Sequence, residues 1–447
     1  MPNLIDDTPR GAQQAEPPPV RGRWRQLSIL GGAMLVDGTE AGLVTGLFPV
    51  IRQSLGLSLG ALGILGAAGK LIGVAAAPLW VWAARRWSRK AVLVLTTGLW
   101  GVWGVAAGFS QDFTQLLVFL TVLAAGYASA PPLVSEIIGD LFAAQSRGRA
   151  VGILYGALAL ASSVLGPLIG QLAGIPDGWR WGLWGVGLVN ILFGLVLLAG
   201  FRDPGHGASE HQLADLDRTA RETPTTVGLA GVRALLRIPS FVILLVSRLL
   251  SGHLLLGSFA VVYLVDVFGF TTQRASVVLM PLGIGYLLGT LLGGFLADWA
   301  GRRSPGHGLP AVLQAAQIAF AAFAFLGTQV HYGGLGVYAL LFGLMGMAQG
   351  VNPGVNRPMV MAVTPPELRA TAFTIYLSIF EAVAWAIFSL GAGFLGQHLG
   401  LRPVFLTVLV FLMLANAAFL TLLHLPYAKD VERVQRQLDR RREAALT

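Results

Sequence analysis

The chain has no cysteine among its 447 residues. Disulfides and thiolate-held metal sites are therefore excluded. Charge is scarce too. Asp, Glu, Lys and Arg make up 12% of the residues, about half the roughly 25% usual in soluble domains. The seven histidines are scattered, and no His-Glu-x-x-His pair or Gly-x-Ser-x-Gly elbow is present to hold a metal or present a nucleophile. The segment Gly66-Ala67-Ala68-Gly69-Lys70-Leu71 looks superficially like a phosphate-cradling loop, but its glycine spacing is wrong and Leu71 stands where Ser or Thr belongs. These absences argue against an enzyme, an ATP-driven pump, a resident cofactor and a metal centre.

What fills the chain instead is apolar sequence, 55% of the residues. A spanning helix takes about 20 predominantly apolar residues, and twelve such runs are found. They lie at about 27–50, 59–83, 91–109, 113–138, 149–173, 180–200, 239–265, 274–297, 309–329, 334–358, 369–395 and 403–425. The expected fold is an all-α membrane protein of twelve transmembrane helices in two pseudo-symmetric six-helix bundles. The bundles occupy 27–200 and 239–425. They are joined by a polar central loop, 201–238, carrying His206, Asp215, Asp217, Arg218, Arg221 and Pro224.

Residues 1–26 are polar and end in Arg21, Arg23 and Arg25, so they read as a tail rather than the apolar core of a signal peptide. The tail 426–447 is charged, with Val431, Val434 and Leu438 at helical spacing, and is expected as an amphipathic helix on the cytoplasmic membrane surface, the alternative being a solvated charged helix.

The net charge of +9 follows the loops, so it points to membrane orientation and not to nucleic acid. The two tails and the loops after even-numbered spans hold 25 of the 31 Lys and Arg residues; the other face holds only Arg52, Arg180, Arg274 and Arg402. By the positive-inside rule both termini are expected in the cytoplasm of a bacterial cell, with the protein multi-pass in its inner membrane.

The two halves echo each other. Arg85-Arg86-Trp87-Ser88-Arg89-Lys90 follows span 2, and Asp298-Trp299-Ala300-Gly301-Arg302-Arg303 follows span 8. Arg147-Gly148-Arg149-Ala150 follows span 4, and Pro366-Glu367-Leu368-Arg369-Ala370-Thr371 follows span 10. Duplicated six-helix halves are a transporter architecture.

On these features the chain resembles the major facilitator superfamily, whose loop signature is Gly-x-x-x-Asp-Arg-x-Gly-Arg-Arg. The second copy, from Gly294, matches except at Trp299; the first is degenerate, with Arg85 at the Asp position and Ser88 at the second Gly. The resemblance implies a secondary transporter working by alternating access, in which the loop Asp stabilises one gate. That role would fall on Asp298 and not on Arg85. Gly166-Pro167-x-x-Gly170 in span 5 is similar to a motif of the family's antiporters. Ile137-Ile138-Gly139-Asp140-Leu141-Phe142 and Gly178-Trp179-Arg180-Trp181 are similar to the spinster-type lipid transporters. The membrane Arg which that group carries in span 4 is absent, its place taken at about Leu120. The expected gate residues are Arg86, Arg89, Glu136, Asp140, Asp298, Arg302 and Arg303.

Five charges lie near mid-depth: Asp37 and Glu40 in span 1, Lys70 in span 2, Arg248 in span 7 and Glu381 in span 11. Each costs roughly 2.5–3.5 kcal/mol at a helix centre, so each needs a partner, a proton or a wet cavity. Asp37 and Glu40 are three residues apart and share a helix face. Two carboxylates that close cannot ionise independently, and one that holds a proton is what proton coupling requires. They are expected to bind a coupling proton or a cationic group, with Lys70 as a competing partner; the alternative is a static ion pair ordering spans 1 and 2. Arg248 is expected to hold an anionic head group, to pair with Glu381, or to snorkel to the interface.

Span 10 carries Gln349, Asn352 and Asn356 beside Pro353 and Pro358, the pattern of a broken helix lining a substrate path. Tyr127, Tyr155 and His253 complete the expected path. The functional expectation is proton-coupled export or flipping of an amphipathic or hydrophobic small molecule or lipid by a monomer surrounded by membrane lipids. The alternatives are uptake of an organic anion by proton symport, through Arg248 or Lys70, and a ligand sensor with a transporter fold.

Overall fold

The computed structural model describes residues 22–142, 144–205, 229–365 and 368–446. The tail before residue 22, loop residues 206–228, and Pro366 and Glu367 lie outside the described residues, as do the side chains of Arg147, Arg149 and Leu438. Among the described residues, twelve helices have membrane length and apolarity: Arg23–Leu55, Leu59–Arg86, Arg89–Ala107, Phe113–Leu141, Ala150–Gly174, Gly178–Gly200, Pro239–Phe268, Thr272–Arg303, Gly308–Gln329, Leu335–Val363, Thr371–Leu399 and Leu401–Leu423. They are numbered spans 1 to 12. Each expected run is one of them, and several continue a turn or more past the apolar stretch.

The punctuation is local chemistry. Span 1 ends on Gly56 and the intact helix of span 7 on Gly269, both in the left-handed region that glycine adopts freely. Two residues on, the hydroxyls of Ser58 and Thr271 accept from the backbone N–H groups of Ala61 and Arg274 and so start spans 2 and 8. The same turn thus recurs at the same place in each half.

Lipid tails are as apolar as leucine, so helix association in a membrane rests on close packing rather than water exclusion. At Gly63 of span 2, an added Cβ would stand 2.4 Å from the Ser389 carbonyl oxygen of span 11. The two halves therefore touch backbone to backbone there. Phe48, Ala61 and Leu62 of the first half share one apolar cluster with Phe259, Tyr263 and Phe405 of the second. This contact lies toward the face away from the termini. Toward the terminal face each half keeps its own cluster, around Leu133, Ile137 and Phe201 in one and Phe241, Met359 and Val363 in the other. The apolar cluster shared by the halves thus lies at the far face.

One expectation about elements is corrected. Span 10 is one continuous helix from Leu335 to Val363 despite Pro353 and Pro358. Pro353 leaves the Gln349 carbonyl without its helical donor, and the Asn352 side-chain amide supplies one at 3.0 Å. The break falls in span 7 instead, where the helix Pro239–Leu249 gives way at Leu250 and Ser251 to a 3-10 turn Gly252–Leu255. Gly252 presses on span 12 there, with space for a Cβ closed by the Val408 carbonyl at 2.2 Å. The tail helix Pro426–Leu446 packs on the protein along its first turns. Tyr427 and Val434 are buried, and Asp430 accepts from the backbone N–H of Ser240 at 3.0 Å. The tail thereby caps span 7, which has no side-chain cap of its own.

Candidate functional site

Span 1 carries its two carboxylates inward, Asp37 5% and Glu40 0% exposed. Their partners come from spans 3, 4 and 6. The Asn190 side-chain amide donates to Asp37 Oδ1 at 3.2 Å and to Glu40 Oε2 at 3.0 Å. The Tyr127 hydroxyl also donates to Glu40 Oε2. Gly104 makes the room, since a Cβ there would lie 1.4 Å from Glu40 Oε1. The donors are neutral, and Asp37 Oδ2 and Glu40 Oε1 have no hydrogen-bond partner among the described residues.

Lys70 is not the partner expected for this pair. Its ammonium lies over the Trp385 ring of span 11, 4.2 Å from the centroid. A desolvated cation–π contact contributes about 2 kcal/mol, short of the roughly 2.5–3.5 kcal/mol that a mid-depth charge costs. Arg248 and Glu381 form an ion pair within the second half, with Arg248 also 5.8 Å from the Tyr376 ring centroid. Glu381 directly follows a π-helical stretch, Thr374–Phe380, a distortion common at functional positions.

Asp37, Glu40, Lys70 and Trp385 border a central cavity with two lobes, and Arg248 and Glu381 line neither lobe. The larger, about 550 Å³, is lined by spans 1, 2 and 4 with Gly257, Ser258 and Trp385 of the second half. The smaller, about 290 Å³, lies on the other side of span 1 against spans 5, 7 and 8. Asp37, Glu40, Lys70 and Tyr127 line the larger lobe, whose remaining wall is mostly aliphatic and glycine.

Polar side chains of span 10 bond within the second half. Asn352 accepts from Gln317 of span 9 at 2.9 Å and donates to Gln349 Oε1 at 3.0 Å, in the interior of the second half. Neither these nor Asn356 lines either lobe. His253 faces Phe320, ring centroids 6.2 Å apart, and Tyr155 is 44% exposed; both lie outside the lining.

At the terminal face the expected gate residues divide. Arg89 is 3% exposed and joins Asp140, Asp203 and, at 3.5 Å, Glu136. Arg86, Asp298, Arg302 and Arg303 are exposed, and among the described residues they form no ion pair across the halves. At the far face Arg52 of span 1 meets Asp266 of span 7 in a bidentate pair, both contacts 2.7 Å.

Sequence reasoning passed over Asn190, Asp203, Asp266, Trp385 and Gly104. Asn190 had a usable signal, a lone amide in an apolar run; the others look like ordinary loop charges, interface aromatics or helix glycines until the fold joins them.

Two six-helix bundles around a shared central cavity, closed at one face, are the architecture of a multi-pass membrane transporter. The profile of the Major Facilitator Superfamily matches residues 30–339, and the chain belongs to that family; it is not an enzyme. It is similar to the protein spinster of Drosophila melanogaster, 24% identical over 382 residues, 81% of this chain and 60% of that protein. It is also similar to the 3-(3-hydroxy-phenyl)propionate transporter of Escherichia coli (strain K12), 27% identical over 265 residues, 58% of this chain and 60% of that protein. The chain thus spans less than two thirds of either relative.

Among solved structures, a bacterial homologue of the human lysosomal transporter spinster, inward-facing and unoccupied, matches with a TM-score of 0.74 at 20% identity. The match covers 95% of this chain and 99% of that one. The inward-open xylose transporter XylE of E. coli matches with a TM-score of 0.67 at 16% identity, covering 89% and 96%. At these identities the structural likeness shows the fold.

Proposed function

We propose that the chain is a proton-coupled secondary transporter of the bacterial cytoplasmic membrane, its termini in the cytoplasm, exporting or flipping an amphipathic small molecule or lipid by alternating access. The observation that carries this reading is the Asp37–Glu40 pair, held at mid-depth by Asn190 and Tyr127 beside the cavity. Two buried carboxylates with only neutral donors around them are best accommodated when they hold a proton. A proton bound there from one side and released to the other would couple its gradient to the movement of the halves. The aliphatic wall of the larger lobe favours an apolar body over a sugar, which asks for many hydroxyl contacts. The ion pair Arg52–Asp266 and the apolar cluster shared by the halves at the far face support a state that opens toward the termini.

The test is flux into proteoliposomes. An imposed pH gradient should drive uptake or release of amphipathic fluorescent probes, and Asp37→Asn with Glu40→Gln should abolish the gradient dependence while leaving gradient-free exchange. Gradient-driven movement that persists in the double variant would sink the role of span 1.

A further inference from the structure

Three charged side chains line the larger lobe, Asp37, Glu40 and Lys70. The carboxylates are engaged by Asn190 and Tyr127. Arg248, the other mid-depth cation, is engaged by Glu381. Lys70 has no carboxylate within ion-pair distance among the described residues, Glu381 of span 11 being the carboxylate whose charge reaches it; one face of its ammonium rests on Trp385. That ring is a fixed platform. Its indole N–H donates to Ser258 Oγ at 2.9 Å, and it lies flush on Gly257, where a Cβ would be 2.6 Å from the ring. An ammonium has three donors, and a ring beneath it leaves others for the lumen. Gly66, Gly69 and Gly73 on the same helix put no side chains around it, while Leu65, Leu120 and Leu123 form an apolar wall of the same lobe.

We infer that Lys70 over Trp385 is the head-group site of the cavity, and that the transported molecule is an organic anion whose hydrocarbon body lies along the leucine wall. The inference rests on the transport reading and goes beyond it by assigning the charge of the substrate and the residue that reads it. Arg248 is excluded from that task by its ion pair. Because Lys70 belongs to the first half and Trp385 to the second, an anion drawing the ammonium off the ring would also loosen a contact between the halves.

The experiment is equilibrium binding to the purified full chain in detergent, with three fluorescent probes that share a pyrenylbutyl body and end in a carboxylate, a hydroxyl or an ammonium. The carboxylate probe should bind at least about tenfold more tightly than either of the others. Lys70→Gln should bring it level with the hydroxyl probe, whose own binding should not change and reports that the cavity is intact. Lys70→Arg should keep the preference. Displacement of the carboxylate probe by oleate or by phenylpropionate then tells a lipid-chain anion from a compact aromatic acid. Tightest binding of the ammonium probe, equal affinities in the unsubstituted protein, a preference that survives Lys70→Gln, or no saturable binding of any probe would each overturn the inference. The measurement needs no gradient. If proton coupling fails but the head-group reading holds, Asp37→Asn with Glu40→Gln keeps the carboxylate preference while flux loses nothing.

Discussion

Glu40 is completely buried, and the space for its carboxylate exists because residue 104 has no side chain. The packing is steric before it is electrostatic. Gly104→Ala should therefore lower the thermal unfolding temperature, by the equivalent of about 1–3 kcal/mol for an overpacked interior. Glu40→Ala in the same chain should recover most of that loss, whereas the isosteric Glu40→Gln should not. Thermal melts of the four proteins in detergent check this, and a silent Gly104→Ala would mean the carboxylate does not lie there. Asn190 stands beside it as the donor shared by both carboxylates. A lone amide in an apolar run marks it, but its partners lie about 150 residues earlier and no local pattern names them.

At the scale of elements, span 7 combines a central break, an ion-paired Arg248 and a start capped by the tail helix. Asp430→Ala removes the acceptor for the Ser240 N–H and should cost about 1 kcal/mol, as lost helix caps do. Faster hydrogen exchange at the start of span 7 and in Pro426–Leu446 would register it. The tail is also tied at its root. His424 Nδ1 lies 3.2 Å from His307 Nδ1 of the loop between spans 8 and 9, and His424 Nε2 meets Gln314 Oε1 at 2.9 Å. Burial first, then His307, pulls the His424 imidazole below its ordinary value of 6.5. A base depressed in the folded state binds fewer protons there than when unfolded, so its contribution is full above 6.5 and declines as pH falls below it. Exchange in the tail helix should accelerate on acidification through that range. In His424→Gln the acceleration should be absent.

The whole molecule is asymmetric between its two faces. Arg52–Asp266, the Gly63 contact and the shared apolar cluster close the far face, while Asp298 and its neighbouring arginines stand exposed at the other. Arg52→Asp should let the far face open, and exchanging the pair, with Arg52→Asp and Asp266→Arg together, should close it again. The natural absence of cysteine makes the measurement clean: Thr45→Cys places a single thiol in the cavity lining. Its modification by an impermeant maleimide from the far face should rise in the single reversal and fall in the exchange. Equal labelling in all three proteins would remove the pair from the gate.

The sequence by itself determined the number and positions of the spans, the two-fold repeat and the mid-depth charges. Each of these depends on quantities that are local along the chain: apolar run length, turn chemistry and the cost of a charge in hydrocarbon. Only the tertiary structure decided which charges meet. It set Lys70 on Trp385 rather than on Asp37 or Glu40, paired Arg248 with Glu381, kept span 10 continuous with an amide that replaces a missing donor, and broke span 7 against Val408. Those outcomes turn on a few ångströms of approach between helices far apart in the chain. A pattern of residue types along one helix does not encode that distance.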